Sequence, residues 1–169
     1  MEGIGDAGEN LHGDSANKET TVKGPGAAVP CQCRARKADM CVTIRAEKSA
    51  IEPCVQQMVR FASDCMPEAT QKHLEIDLAL QEAVANAVMH GCKADPSLEV
   101  KCWAAYEQGK GLLMVISDPG PGFIPTDVPD PMQEANLKFD HGRGVFLIKS
   151  LMDEVHFLNN GSEIHMIKY

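Results

Sequence analysis

Three polar side chains stand four residues apart in the segment Glu82-Ala-Val-Ala-Asn86-Ala-Val-Met-His90-Gly91. At 3.6 residues per turn, positions 82, 86 and 90 fall on one helix face, drifting about 40° per step. A carboxylate there can take a proton from a hydroxyl, and a neighbouring amide oxygen is a hard ligand suited to magnesium. The same stripe also reads as a solvated helix face. A second element, Ser117-Asp118-Pro-Gly120-Pro-Gly122-Phe123, comes after an apolar run. Its glycines permit close backbone approach, its prolines stiffen the intervening positions, and Asp118 is an acceptor able to take an amino-group proton. As an isolated feature it is equally a turn. In a third, His141-Gly142-Arg143-Gly144-Val145, glycines lead straight into a helical pattern. Free N–H groups and the helix dipole there suit an anion, with Arg143 either adding a charged contact or standing on the surface.

These residues need elements to carry them. Met40 to Ala46 alternates as a half-buried strand does. Ser49 to Met66 reads as a helix, with Ser49 as cap, Glu52 completing a capping box, Pro53 in the first turn, and Val55, Met58, Val59 and Ala62 as its apolar stripe. A second helix is expected from Thr70, its cap, to Gly91, a C′ glycine, presenting Leu74, Leu78, Val84 and Val88 to the core. Leu98 to Tyr106 and Leu112 to Ser117 are expected to be antiparallel neighbouring strands. Residues 118–142 lack either periodicity, a length that points to function in a compact domain. Gly144 to Met152 regains helical spacing, and Val155 to Leu158, a turn at Asn159-Asn160-Gly161, and Ile164 to Ile167 form a hairpin. Strands and helices are grouped and not strictly alternating, so the class is α+β with a largely antiparallel sheet.

Composition bounds the rest. A chain of 169 residues with 44% hydrophobic residues suffices for one domain with a real core. Residues 1–38 hold five acidic and five basic side chains, so the net charge of −8 lies in the remainder and no basic nucleic-acid footprint is present. That glycine-rich stretch, without an aromatic residue, is expected to be a disordered tail preceding a domain at 39–169. The longest wholly apolar run, Leu112 to Ile116, is far too short for a bilayer, and no export signal is recognisable, so a cytoplasmic protein is expected. Seven cysteines, at 31, 33, 41, 54, 65, 92 and 102, are accordingly read as reduced thiols. Cys31 and Cys33, with Cys41 nearby, lack the usual zinc spacing.

In order and spacing the three segments resemble the GHKL ATPases. Glu82 to Gly91 is similar to that family's N box, Asp118-Pro-Gly120-Pro-Gly122 to its first glycine box, and Gly142-Arg-Gly144-Val-Phe-Leu-Ile to its second. Gly161-Ser162-Glu-Ile-His-Met resembles its last shared segment, with Ser162 where threonine is usual. The small size, the lack of a histidine-bearing dimerisation helix and the run Leu147 to Val155 most resemble the anti-sigma-factor serine/threonine kinases, over about residues 40–169. The resemblance implies a two-layer α/β sandwich of the Bergerat type, its mostly antiparallel mixed sheet covered by helices on one face. It also implies ATP and Mg2+ as cofactors and phosphorylation of an anti-sigma-factor antagonist of the STAS type. A sigma factor as second partner, a role in sporulation or stress response, and a homodimer belong to the same implication.

Carried over by position, Glu82 becomes the catalytic base and Asn86 the magnesium ligand. Asp118, helped by Ser162, holds adenine. Gly120, Gly122, Gly142 and Gly144 enclose the phosphates under a lid at 123–141, with His90, Arg143 and Val145 also at the nucleotide. The competing expectation is a catalytically silent module that uses ATP only to set its conformation while sequestering a sigma factor or another regulator. A histidine-kinase catalytic fragment is disfavoured by the missing phosphoacceptor helix.

Overall fold

The structure, a computed structural model, describes residues 37–122 and 143–169. The expected tail at 1–38 falls almost wholly outside the described residues, and the expected lid and Gly142 lie outside them too. Strand β1 (Met40–Arg45) leads into helices α1 (Lys48–Cys65) and α2 (Thr70–Asn86), and α2 runs on into a π-helical turn, Ala87–Gly91. Next come β2 (Glu99–Glu107), β3 (Gly111–Ser117), helix α3 (Arg143–Leu151), β4 (Glu154–Leu158), a 3-10 turn at Asn159–Gly161 and β5 (Glu163–Lys168). The strands form one five-stranded sheet in the order β1-β2-β3-β5-β4. A mostly antiparallel, mixed sheet is the sequence-based expectation; all four pairings among the described residues are antiparallel. The class is α+β, as the grouping of elements implies.

Alternation along the strands sorts the core. On one face Val100, Cys102 and Ala104 of β2, Leu112, Met114 and Ile116 of β3, and Ile164 and Met166 of β5 meet the helices. Helix α1 contributes Cys54, Val55, Met58 and Ala62, and α2 contributes Ile76, Ala79, Leu80, Ala83 and Val84. Each large side chain so buried contributes roughly 1.5–3 kcal/mol relative to exposure. The opposite face carries a smaller cluster of Leu113, Val115 and Ile167, with Trp103 packed on it.

Several local details differ from expectation. Helix α1 begins one residue earlier, its N-cap position is Glu47 rather than Ser49, and no side-chain cap bond forms there. Pro53 is then the sixth helical residue, where its missing N–H removes one intrahelical bond. Thr70 is likewise the first residue of α2 and not its cap. Leu74 and Leu78 are 56% and 38% exposed, not part of the core. They precede Glu82 by eight and four residues and therefore share its row along the helix, not the opposite one.

The close of the chain is fixed by an ionic cluster. Lys168, the last residue of β5, is buried, donates to the Leu151 carbonyl at 2.7 Å, and pairs with Glu75 of α2 at 2.6 Å and Asp153 at 3.6 Å. The Tyr169 N–H donates to Asp153 at 2.8 Å, and Lys72 donates to the Tyr169 carbonyl. These contacts clamp β5 to α2 and to the α3–β4 connection.

Candidate functional site

Helix α2 presents Glu82 and Asn86 one turn apart, and the π-helical turn beyond them shifts the next residues out of ordinary helical phase. In that turn the Cys92 N–H donates to the Ala87 carbonyl at 2.8 Å, and the Ala94 N–H to the Val88 carbonyl at 2.8 Å. π-turns inside helices occur frequently at functional sites. Lys93 and Ala94, with φ of 54° and 55°, take the left-handed conformation expected of Gly91 as a helix-ending glycine. Gly91 is glycine for another reason: a Cβ there would meet the Asp118 carboxylate, its Oδ2 at 2.6 Å. The helix end and the end of β3 thus approach as closely as backbone allows.

Asp118 is placed by the sheet. Because β5 is inserted between β3 and β4, the end of β3 lies beside the start of β5, and the Asp118 N–H donates to the Ser162 carbonyl at 3.0 Å. The Gly120 N–H donates to Asp118 Oδ1 at 2.8 Å, folding the Asp-Pro-Gly turn onto its own carboxylate. Burial raises the Asp118 pKa, and the Gly120 hydrogen bond opposes that rise. At Gly122, φ is 74° and a Cβ would collide with the Asn160 carbonyl, so the loop is pressed onto the β4–β5 turn. The Ser162 hydroxyl donates to the Asn159 carbonyl at 2.9 Å, while the Ser162 backbone carbonyl is the group that binds Asp118.

Helix α3 closes the third side. A Cβ at Gly144 would sit 2.6 Å from Glu82 Oε2 and 3.1 Å from Asn86 Nδ2, so the first turn of α3 abuts the polar row of α2. Together these elements enclose a cavity of about 580 Å³, lined by Glu82, Asn86, His90, Asp118, Gly122, Arg143, Gly144, Val145 and Ser162. That volume is ample for a nucleotide-sized ligand. Gly120 folds against Gly91 at the rim, and Gly142 lies outside the described residues.

Residues not singled out in the sequence supply the apolar part. Ile116, Ile164 and Phe157 line the cavity and sit on one rung across β3, β5 and β4, with Ile148 and Leu147 from α3, Ala83 from α2 and Ala87 from the π-helical turn. Strand alternation carries part of this signal, but only the register Ile116↔Ile164↔Phe157 puts the three side by side. The two alanines, each one residue beyond Glu82 or Asn86, leave a smooth wall beside the polar row. An apolar slot closed by one half-buried carboxylate acceptor suits a planar base bearing an amino group, and glycine backbone beside a helix start suits phosphates. Among the described residues no group of three or more His, Cys, Asp or Glu is arranged to hold a metal.

Residues 44–168 match the histidine kinase-like ATPase domain, and the chain belongs to that family. Among individual relatives, it is 35% identical over 101 residues to the serine-protein kinase RsbW of Staphylococcus epidermidis, covering 54% of this chain and 62% of the relative. It is 30% identical over 100 residues to the anti-sigma F factor of Bacillus cytotoxicus, covering 56% of this chain and 68% of that protein. A serine-protein kinase RsbW of Bacillus licheniformis is 30% identical over 106 residues, with 56% and 63% covered. The chain thus spans about three-fifths of the length of these RsbW relatives.

Proposed function

We propose that the protein is an ATP-dependent serine/threonine kinase and anti-sigma factor that binds ATP with Mg2+ and phosphorylates an anti-sigma-factor antagonist. The observation that carries the reading is that Glu82 and Asn86, met by the first turn of α3 at Gly144, line the same cavity as Asp118. The family match supports nucleotide use, and the relatives' names support both the kinase step and the sigma-factor partner.

In this reading the Asp118 carboxylate accepts the adenine amino proton, with Ser162 and the Ile116, Ile164 and Phe157 rung around the base. The backbone of Gly120, Gly122, Gly142 and Gly144, with Val145, Arg143 and His90, surrounds the phosphates, where α3's N-terminal dipole favours negative charge. Asn86 holds the cation, which when bound offsets phosphate charge. Glu82 takes the proton from the incoming serine or threonine hydroxyl, a task that needs hydrogen-bond reach and an ionised carboxylate. A homodimer acting in the cytoplasm, and a partner switch between sigma factor and a STAS-type antagonist, complete the proposal. No helix among the described residues is long and apolar enough to cross a membrane.

The test is transfer of labelled γ-phosphate from Mg-ATP to a candidate antagonist protein. Glu82→Gln is expected to lower transfer by about 10²–10⁴-fold while nucleotide affinity stays within about threefold. Nucleotide-dependent capture of a sigma factor, with no transfer by either the wild-type or the variant protein, would instead support the silent binding module.

A further inference from the structure

Cys54 of α1 and Cys102 of β2 are 48 residues apart in sequence, yet their sulfur atoms are 3.6 Å apart and share a hydrogen bond. Both side chains are almost wholly buried, at 1% and 2% exposure, in the layer between α1 and the sheet. Neither lines the cavity described above. A disulfide needs its sulfurs at about 2.05 Å, so this pair must draw together by roughly 1.5 Å. Cys41, Cys65 and Cys92 are also free thiols, but no comparable sulfur–sulfur contact is found for them among the described residues.

We propose that Cys54 and Cys102 form a two-electron oxidation site at which hydrogen peroxide closes a disulfide joining α1 to β2. We assign Cys54 as the attacking sulfur, because its contact with Cys102 favours the Cys54 thiolate against the opposing effect of burial, while that contact and burial both hold the Cys102 proton on. The Cys54 thiolate attacks one peroxide oxygen and the O–O bond breaks. The departing hydroxide takes up the proton Cys54 released, giving water and a sulfenic acid. Cys102 sulfur then attacks the Cys54 sulfur, the S–O bond breaks, and the hydroxide leaves as water with the Cys102 proton. In total two thiols and one peroxide yield one disulfide and two waters. Burial confines the reaction to brief openings of α1 from the sheet, so it should be slow and selective for a small oxidant.

The closed bond spans a long loop and fixes the packing of α1, so oxidised protein should unfold at a higher temperature. The test treats the full-length reduced protein with hydrogen peroxide, blocks remaining thiols under denaturing conditions, and maps unreduced peptides by mass spectrometry. A Cys54–Cys102 linked peptide, two hydrogens lighter than the separate peptides and released by dithiothreitol, is expected. The oxidised chain's thermal midpoint should rise by about 5–10 °C, a rise absent from Cys54→Ala and from Cys102→Ala. Oxidation of exposed Cys41 without any Cys54–Cys102 peptide overturns the proposal, as does a linked peptide whose formation requires denaturant. The peptide map on the wild-type chain decides the matter even if either alanine variant folds poorly.

Discussion

The Asp118 carboxylate is held between opposing influences: burial lifts its pKa above its ordinary value, and the Gly120 N–H pulls it back. As an acceptor it must be ionised, because the protonated acid presents an O–H to a ligand that is itself a donor. Nucleotide affinity is therefore expected to fall as pH drops through a value above the usual 3.9 or so of an aspartic acid, and calorimetric titration across mildly acidic pH checks this. The fold itself responds in the opposite sense. A carboxyl whose folded pKa is raised binds its proton more tightly when folded, so its ionisation weakens the apo fold as pH rises. Asp118→Asn should accordingly reduce ATP affinity by about 10–100-fold, through one misdirected hydrogen bond, without lowering the apo protein's thermal midpoint.

Helix α3 matters through its first turn, where the absence of a side chain at Gly144 lets the helix abut Glu82 and Asn86. Alanine is the better helix residue by up to about 1 kcal/mol, so Gly144→Ala tests the two demands against each other. Thermal stability is expected to hold or rise slightly. Phosphotransfer is expected to fall about 10–100-fold, because the new methyl group displaces the Glu82 carboxylate from its working position. Equal activity in the variant would separate α3 from the chemistry. The π-helical turn makes a parallel case: Gly91→Ala sets a methyl group against the Asp118 carboxylate and should weaken nucleotide binding more than it weakens folding, read by comparing ligand titration with urea unfolding.

Across the whole molecule, the end of the chain is secured by a buried lysine whose partners come from α2, from the end of α3 and from the α3–β4 connection. The hydrogen bond and charge of Lys168 hold the Glu75 pKa below its ordinary value, with desolvation opposing. A depressed carboxylate pKa contributes stability that is fully present above the unfolded value of about 4.3 and is lost as pH falls through the folded one. Glu75→Gln should destabilise the protein by about 1–3 kcal/mol near neutral pH, since Lys168 would keep only Asp153 and a carbonyl as partners. Urea titrations of the two proteins should converge only as the pH falls through the depressed folded value, where wild-type Glu75 is itself protonated.

Much of this arrangement is legible in the order of residues, because periodicity is a local property. Strand alternation and helical spacing locate every described strand and helix to within a residue or two, and i, i+4 spacing puts Glu82 and Asn86 on one row. Local pattern cannot say which way a row faces: Leu74 and Leu78 are apolar and helically spaced, yet they continue the polar row outward from Glu82 and stand exposed. Nor can it give the reason for Gly91, a helix end in sequence but in space the point where β3 brings a carboxylate against the backbone. The insertion of β5 between β3 and β4 sets Asp118 beside Ser162, aligns Ile116, Ile164 and Phe157, and buries Lys168 against Glu75, while the packing of α1 on the sheet brings Cys54 to Cys102. The sequence by itself determined the element types and the chemical identity of the polar row and glycine turns, since these depend on neighbours within one or two helical turns. Only the tertiary structure decided which of them share a cavity, because contacts between residues tens of positions apart are set by strand order and packing.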